Sequence, residues 1–474
     1  MSMLRTRHGL VGCLGAVWFT ACLAEDVEST LETTQALNPT DSNNHQYADT
    51  TGTVSTYSTA GVIDQTGPFF QVLGTNGRMC FTCHQIDQAW SITPAGVQAR
   101  FTASSGTDPI FRTVDGSNSP NADVSTVAAR QTAYSMLLSK GLIRIGLPIP
   151  AGAEFALQAV DDPYGFASAA QLSLFRRPLP ATNVRFLSTV MWDGRENSSG
   201  PTLDAMLLHQ ANSATVTHAQ SAAPITAAQA RGIVDFEMGI TTAQHKDVDA
   251  KDLAASGSNG GAATPGVMLS SQAIYPGIND LFGDPQTGLP FDPHVFTMYD
   301  IWATSLSGTG AKETACRAIL RGEIVFNTKT FTISGVSGIN DEPAFGSPAT
   351  LTVTCTTCHD TPSAGDHSVP APLNIGIADA SRRTADMPLY TLVNLTTHAT
   401  IQTTDPGRAL VTGRWKDIGR FKGPILRGLS ARAPYFHNGL AATLDDVVAF
   451  YVSRFGVSLT AQERSDLLMF LRSL

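Results

Sequence analysis

Two short runs of one form constrain this chain more than anything else in its 474 residues: Cys80-Phe81-Thr82-Cys83-His84 and Cys355-Thr356-Thr357-Cys358-His359. With 7 Cys and 11 His in the whole chain, roughly 0.002 copies of Cys-x-x-Cys-His are expected by chance. Three chemistries use cysteines at this spacing. A zinc site would want another Cys or His pair close by, and a thioredoxin-like redox pair would want a βαβ setting. Neither accompanies these runs. Covalent haem attachment remains: two thiols three residues apart on one turn can both reach the vinyl groups of a porphyrin, and the adjacent imidazole then faces the iron. The chain is expected to hold two c-type haems, one on Cys80, Cys83 and His84, the other on Cys355, Cys358 and His359.

The other cysteines are Cys13, Cys22 and Cys316, so a disulfide framework is not expected. Cys316 reads as a small buried hydrophobe. Residues 1–24 read as a signal peptide: Arg5 and Arg7 precede an apolar stretch from Leu10 to Leu23, with small residues at Ala21 and Ala24. Phe19-Thr20-Ala21-Cys22 is an imperfect lipobox, which would make Cys22 a lipid anchor. Export to the periplasm agrees with covalent haem attachment, which takes place outside the bacterial cytoplasm. Residues 25–62 are polar and read as a disordered linker. A net charge of −9 argues against a nucleic-acid partner, and no later apolar run approaches the ~20 residues that span a bilayer.

The remainder divides into an N-terminal haem domain, 63–305, and a C-terminal one, 306–474. Helical periodicity marks Ala227 to Ile240, with Glu237 on its surface or between domains, and Ala311 to Val325. Residues 246–266 read as a surface loop. Two strand-like runs, Thr328–Ile333 and Ala349–Thr354, suggest a hairpin leading into the second cysteine motif. Capping boxes at Thr443 and Thr460 open two closing helices. The fold expected is mainly α: two cytochrome c-like haem domains packed face to face, with long loops and a small β-hairpin insertion.

Four motifs in order resemble the bacterial di-haem cytochrome c peroxidase and MauG-type family. They are the first Cys-x-x-Cys-His, Trp192-Asp193-Gly194-Arg195, the second Cys-x-x-Cys-His, and a C-terminal run. That run is Gly419-Arg420-Phe421-Lys422-Gly423-Pro424-Ile425-Leu426-Arg427, then Ala433-Pro434-Tyr435-Phe436-His437-Asn438-Gly439 and Thr443-Leu444. The resemblance implies that hydrogen peroxide, or dioxygen, reacts at the haem held by His84. It also implies that the haem held by His359 passes electrons from a small donor protein or an organic substrate. It places Trp192 between the haems; read alone, Trp192 is a buried aromatic with its N–H satisfied.

Family members carry an axial Met or Tyr fourteen residues after the His matched by His437, which here gives Tyr451. Leu444, Val447, Val448 and Tyr451 share a helix face, and the rival reading is a core tyrosine. Met387 is a weaker axial candidate. The family's peroxide site holds a Gln, matched by Gln210, and ten residues on a Glu, where this chain has Gln220. The nearest titratable group is His218, which reads as a general base, a distal ligand or a surface residue. His45, His245, His294, His367 and His398 read as surface residues. The family often binds calcium between its domains; Pro434 falls at one such position and Arg177 at the side-chain position. Two alternatives stand beside the peroxidase reading: a di-haem oxygenase acting on an apolar organic substrate, and a non-catalytic di-haem electron carrier.

Overall fold

Threonine hydroxyls start the helices that carry the site. In a computed structural model, which describes residues 38–258, 260 and 269–474, Thr202 Oγ1 accepts from Ala205 N at the head of Leu203–Thr217. Thr226, Thr443 and Thr460 exchange hydrogen bonds with Gln229, Asp446 and Glu463, opening Ala227–Gly239, Leu444–Phe455 and Ala461–Arg472. Each box satisfies backbone donors that the first helical turn cannot. The helix expected from Ala311 runs on to Thr328. Residues 1–24, expected as a signal peptide, and Cys22 lie outside the described residues, as does part of the loop 246–266.

Two cores flank the site. In one, Phe69, Phe70, Trp90, Leu207, Ala211 and Ile233 bury the facing sides of the Leu203–Thr217 and Ala227–Gly239 helices. In the other, Cys316, Ile319, Leu320, Leu467, Phe470 and Leu471 join Ala311–Thr328 to Ala461–Arg472. Cys316 sits there as the small hydrophobe expected. Phe296, Tyr299 and Trp302 pack into this second core, and Tyr299 donates its hydroxyl to Ser473 O at 3.0 Å. The stretch ending at 305, assigned from sequence to the first domain, therefore packs with the second.

Among the described residues the fold is mixed rather than mainly α, at 32% helix and 17% strand. The expected hairpin forms from Phe331–Ser334 and Thr350–Val353, antiparallel. The described part of the supposed linker 25–62 is also ordered into strands. Gly52–Ser58 pairs with Gln46–Asp49 and with Ile240–Asp247 in a four-stranded sheet. Val54 is buried, Thr56 Oγ1 accepts from Trp90 Nε1 at 2.9 Å, and Thr56 and Thr242 share a hydroxyl bond at 2.8 Å. Composition misleads here because Thr and Val favour strands when a partner is present, and this partner lies far along the chain. A further sheet joins Phe155–Asp161 to Leu389–Asn394, crossing the domain boundary drawn from sequence.

Candidate functional site

Both cysteine motifs fold into the same turn. Cys80–Thr82 and Cys355–Thr357 are single 3-10 turns. In each the cysteine carbonyl accepts from the second cysteine and the histidine: Cys83 N and His84 N bond to Cys80 O, and Cys358 N and His359 N to Cys355 O. A threonine locks each turn from behind, Thr82 Oγ1 accepting from Met79 N and Thr357 Oγ1 from Thr354 N, both at 3.0 Å. None of the four cysteines is paired in a disulfide, and burial pushes the thiols of Cys355 and Cys358 up to about 12.

Both motif histidines are held in one tautomer. His84 Nδ1 lies 3.0 Å from Trp90 O and His359 Nδ1 2.6 Å from Gly365 O. A carbonyl only accepts, so Nδ1 carries the proton and Nε2 keeps its lone pair, the arrangement in which metal-bound imidazoles are held. Burial pushes His84 down to about 4, so the ring is neutral near pH 7.

Each turn opens into a cavity. One is lined by Cys80, Cys83, His84, Gln210, His218 and Glu237 among others. The second, largely apolar, is lined by Cys355, Cys358, His359, Tyr451, His437 and surrounding aliphatic side chains. Arg177 to Pro180, Trp192 and Lys422 line both. Paired buried thiols, an imidazole with a free Nε2 and an apolar hollow beside them are the donor set and shape that a covalently held haem needs, and the fit holds twice.

Trp192, in the shared wall, is held from both halves: its Nε1 donates to Arg177 O at 2.8 Å, and its carbonyl accepts from Lys422 N at 2.9 Å. The next residue, Asp193, is buried in an ion pair with Arg176 at 2.6 Å, and Arg176 Nε also meets Asp405 at 2.7 Å. Lys422 is itself buried, donating to Thr189 O at 2.9 Å. Burial pushes it down to about 8, and the neighbouring Asp366 carboxyl is pushed well up by its own burial.

Tyr451 faces the His359 cavity and packs against Phe450, Phe455 and Phe436; burial pushes its phenol up. Gln210 and His218 come together on the cavity side of the Leu203–Thr217 helix and its C-terminal cap. Met387 lies instead among Met136, Leu142 and Phe175 and lines neither cavity. The calcium donor set does not fit. Arg177 brings a cation to that position, and its guanidinium donates to Lys140 O, Ile92 O and Arg432 O at 2.7, 2.6 and 3.2 Å. His45, His294 and His398 are exposed as expected and His245 is half-buried. His367 is buried, 3.4 Å from Asp360, because the loop after the second motif folds back over it.

Glu237 is the cavity residue the sequence reading misplaced. It is buried, its Oε2 has no hydrogen-bond partner among the described residues, and desolvation pushes it up to about 8. The unfolded chain releases this proton near the ordinary value of 4.5, the folded chain only near 8. Between those values the native state holds more protons, so stability falls as pH rises, by about 3–5 kcal/mol in all. Glu237→Gln is expected to flatten that fall, which urea unfolding at pH 5 and pH 8 measures. Its signal in the sequence was an acidic residue on the apolar face beside Ile233 and Val234.

Two cysteine–histidine turns facing two cavities across one tryptophan make a site whose donor groups and shape fit haem. Over 140 residues the chain is 31% identical to cytochrome-c peroxidase IdrP1 of Pseudomonas sp. (strain SCT), covering 25% of this chain and 36% of that one. The corresponding IdrP1 of Denitromonas iodatirespirans is 34% identical over 140 residues with the same coverage. IdrP2 of that organism is 30% identical over 130 residues, covering 25% of this chain and 35% of the relative. The chain thus spans about a third of the length of the curated relatives it matches. A solved MauG-like protein associated with microbial copper homeostasis superposes with a TM-score of 0.30 at 14% identity, over 65% of this chain and 77% of that one. That likeness is too slight to argue from. No family model matches the chain. Over about a quarter of its length the chain is thus similar to proteins named cytochrome-c peroxidase.

Proposed function

We propose that the protein is a peroxidase-type di-haem oxidoreductase that reduces hydrogen peroxide, or dioxygen, beside His84 and draws electrons through the His359 side. The observation that carries this reading is the pair of like-folded Cys-x-x-Cys-His turns whose cavities share Trp192. When bound, the haems would supply reversible iron redox chemistry and an iron position at which an oxygen–oxygen bond can be reduced.

The protein's own groups do the rest. His218 presents Nε2 to the His84 cavity, where it takes a proton from the substrate O–H. Gln210, from the same helix, offers an amide to hold the substrate oxygen. Leu207, Ala211 and Ala214 line the wall around them and limit water. Trp192 is the aromatic group that an electron crossing between the cavities meets. Tyr451 would hold the haem iron on the His359 side through its phenol oxygen. Its burial favours the neutral phenol, and a bound metal cation would favour the phenolate. A phenolate there would favour the oxidised iron.

The test is the electronic and EPR spectrum of the purified holoprotein, followed by peroxide consumption with a reduced donor. A high-spin component together with peroxide-dependent donor oxidation is expected. Iron that is entirely low-spin and inert to peroxide would leave an electron carrier instead. Tyr451→Phe is expected to change the ligand field of one haem and leave the other's spectrum as it was; unchanged spectra would take Tyr451 out of the coordination sphere. Export to the periplasm, with cleavage within residues 1–24 or lipidation of Cys22, belongs to the same reading, and the mass of the mature N-terminus checks it.

A further inference from the structure

The C-terminal end of the Leu203–Thr217 helix is held unusually firmly. His218 O accepts from Asn76 Nδ2 at 2.8 Å and from Arg78 at 3.2 Å. These two donors come from the segment that immediately precedes Cys80. The ring is held as well: His218 Nδ1 lies 2.5 Å from Asp115 Oδ2. The other oxygen of Asp115 is ion-paired with Arg78. The Arg78 guanidinium is fixed in turn on Pro109 O and Ile110 O, both at 2.7 Å. Asp115 and Arg78 are buried, while His218 remains open toward the cavity that His84 faces.

We propose that Asp115 is the positioning residue of the His84 cavity: it fixes the His218 ring so that the unprotonated Nε2 points at the substrate. The inference rests on the reading of His218 as the base. A carboxylate can only accept, so the Nδ1 beside it must carry the proton, and a neutral ring then has its lone pair on Nε2. Burial alone would push Asp115 up, but Arg78 and His218 outweigh it and hold the carboxyl below its ordinary range. Asp115 is therefore an acceptor throughout the neutral range. Arg78 makes the arrangement rigid, because the segment that leads into the first cysteine turn also fixes the carboxylate. Within this group the charges of Arg78 and Asp115 cancel.

The test uses the loaded protein and two ligands that differ in whether a proton must leave. Hydrogen cyanide, protonated at neutral pH, loses its proton as its carbon bonds to iron, and the proposal sends that proton to His218 Nε2. Carbon monoxide binds the reduced iron with no proton to move. In Asp115→Asn the amide can donate as well as accept, so the ring loses its preferred tautomer. Cyanide association is then expected to slow by about 10- to 100-fold, with carbon monoxide association within about twofold of wild type. Asp115→Glu keeps the charge for Arg78 but shifts the oxygens, and is expected to fall between. If both variants keep the wild-type cyanide rate while His218→Ala lowers it, Asp115 has no positioning role. If His218→Ala itself keeps the wild-type rate, the reading of His218 as the base fails, and the inference with it. Should Asp115→Asn fail to retain haem, Asp115→Glu decides alone, a wild-type cyanide rate overturning the proposal.

Discussion

Replacing Cys80 and Cys83 with serine is expected to give a protein lighter by one covalently bound haem, with peroxide turnover below about 1% of wild type. The reason is local. Both thiols sit on one 3-10 turn at the mouth of the cavity, and serine cannot form a thioether. The companion variant, Cys355→Ser with Cys358→Ser, is expected to lose the other haem and keep the first. It should still react once with peroxide but fail in steady state, because the side proposed to take in electrons is gone. Intact mass after denaturation counts the haems, and a single-turnover against steady-state comparison separates the two roles. Serine variants that keep the wild-type mass would end the covalent reading. Equal loss of the single turnover in both would end the division of labour.

The second large effect is on stability. Arg176→Met is expected to cost about 3–5 kcal/mol near pH 7, the range found when one partner of a buried ion pair is removed. Arg176, Asp193 and Asp405 are all buried, and the guanidinium reaches Asp405 through Nε and Nη2 at 2.7 and 2.9 Å and Asp193 at 2.6 Å. Two carboxylates would then face a methionine. The sign with pH follows from Asp193. Its burial raises the carboxyl, but Arg176 and Arg195 more than reverse this, so its folded value lies below the ordinary 3.8. That contribution is complete above about pH 4 and is lost as pH falls through the lower folded value. In the variant Asp193 is left with burial as the larger influence, so acid relieves it, and the gap from wild type is expected to narrow between pH 7 and pH 5. Urea unfolding at both pH values reads this. A loss below about 1 kcal/mol would mark the pair as no stronger than an exposed one.

The same residues show what could be read from the chain. Asp193 and Arg195 stood in a recognisable motif beside Trp192, but their partners Arg176 and Asp405 did not, because the ion pair joins segments far apart in sequence. Gln210 and His218 were legible as cavity candidates only through the family resemblance, Gln210 matching its Gln and His218 lying nearest its missing Glu. Asp115, which sets the His218 ring, lies in a stretch with no motif at all, and only folding brings it to 2.5 Å from Nδ1. The threonine-rich segment before residue 63 failed for the matching reason: read alone it cannot bury itself, and its strand partner, Ile240–Asp247, is supplied by the fold.

The sequence by itself determined what is local: the two cysteine–histidine turns, the capping boxes that start the closing helices, and the helix face that carries Tyr451, since each depends on contacts within a few residues. Only the tertiary structure decided which side chains meet in the cavities. Glu237 lost its surface, Lys422 and Trp192 became a shared wall, and Arg177 filled the position considered for calcium. Burial and long-range pairing set the charge state and neighbours of those groups, and neither is a property of a short stretch of chain.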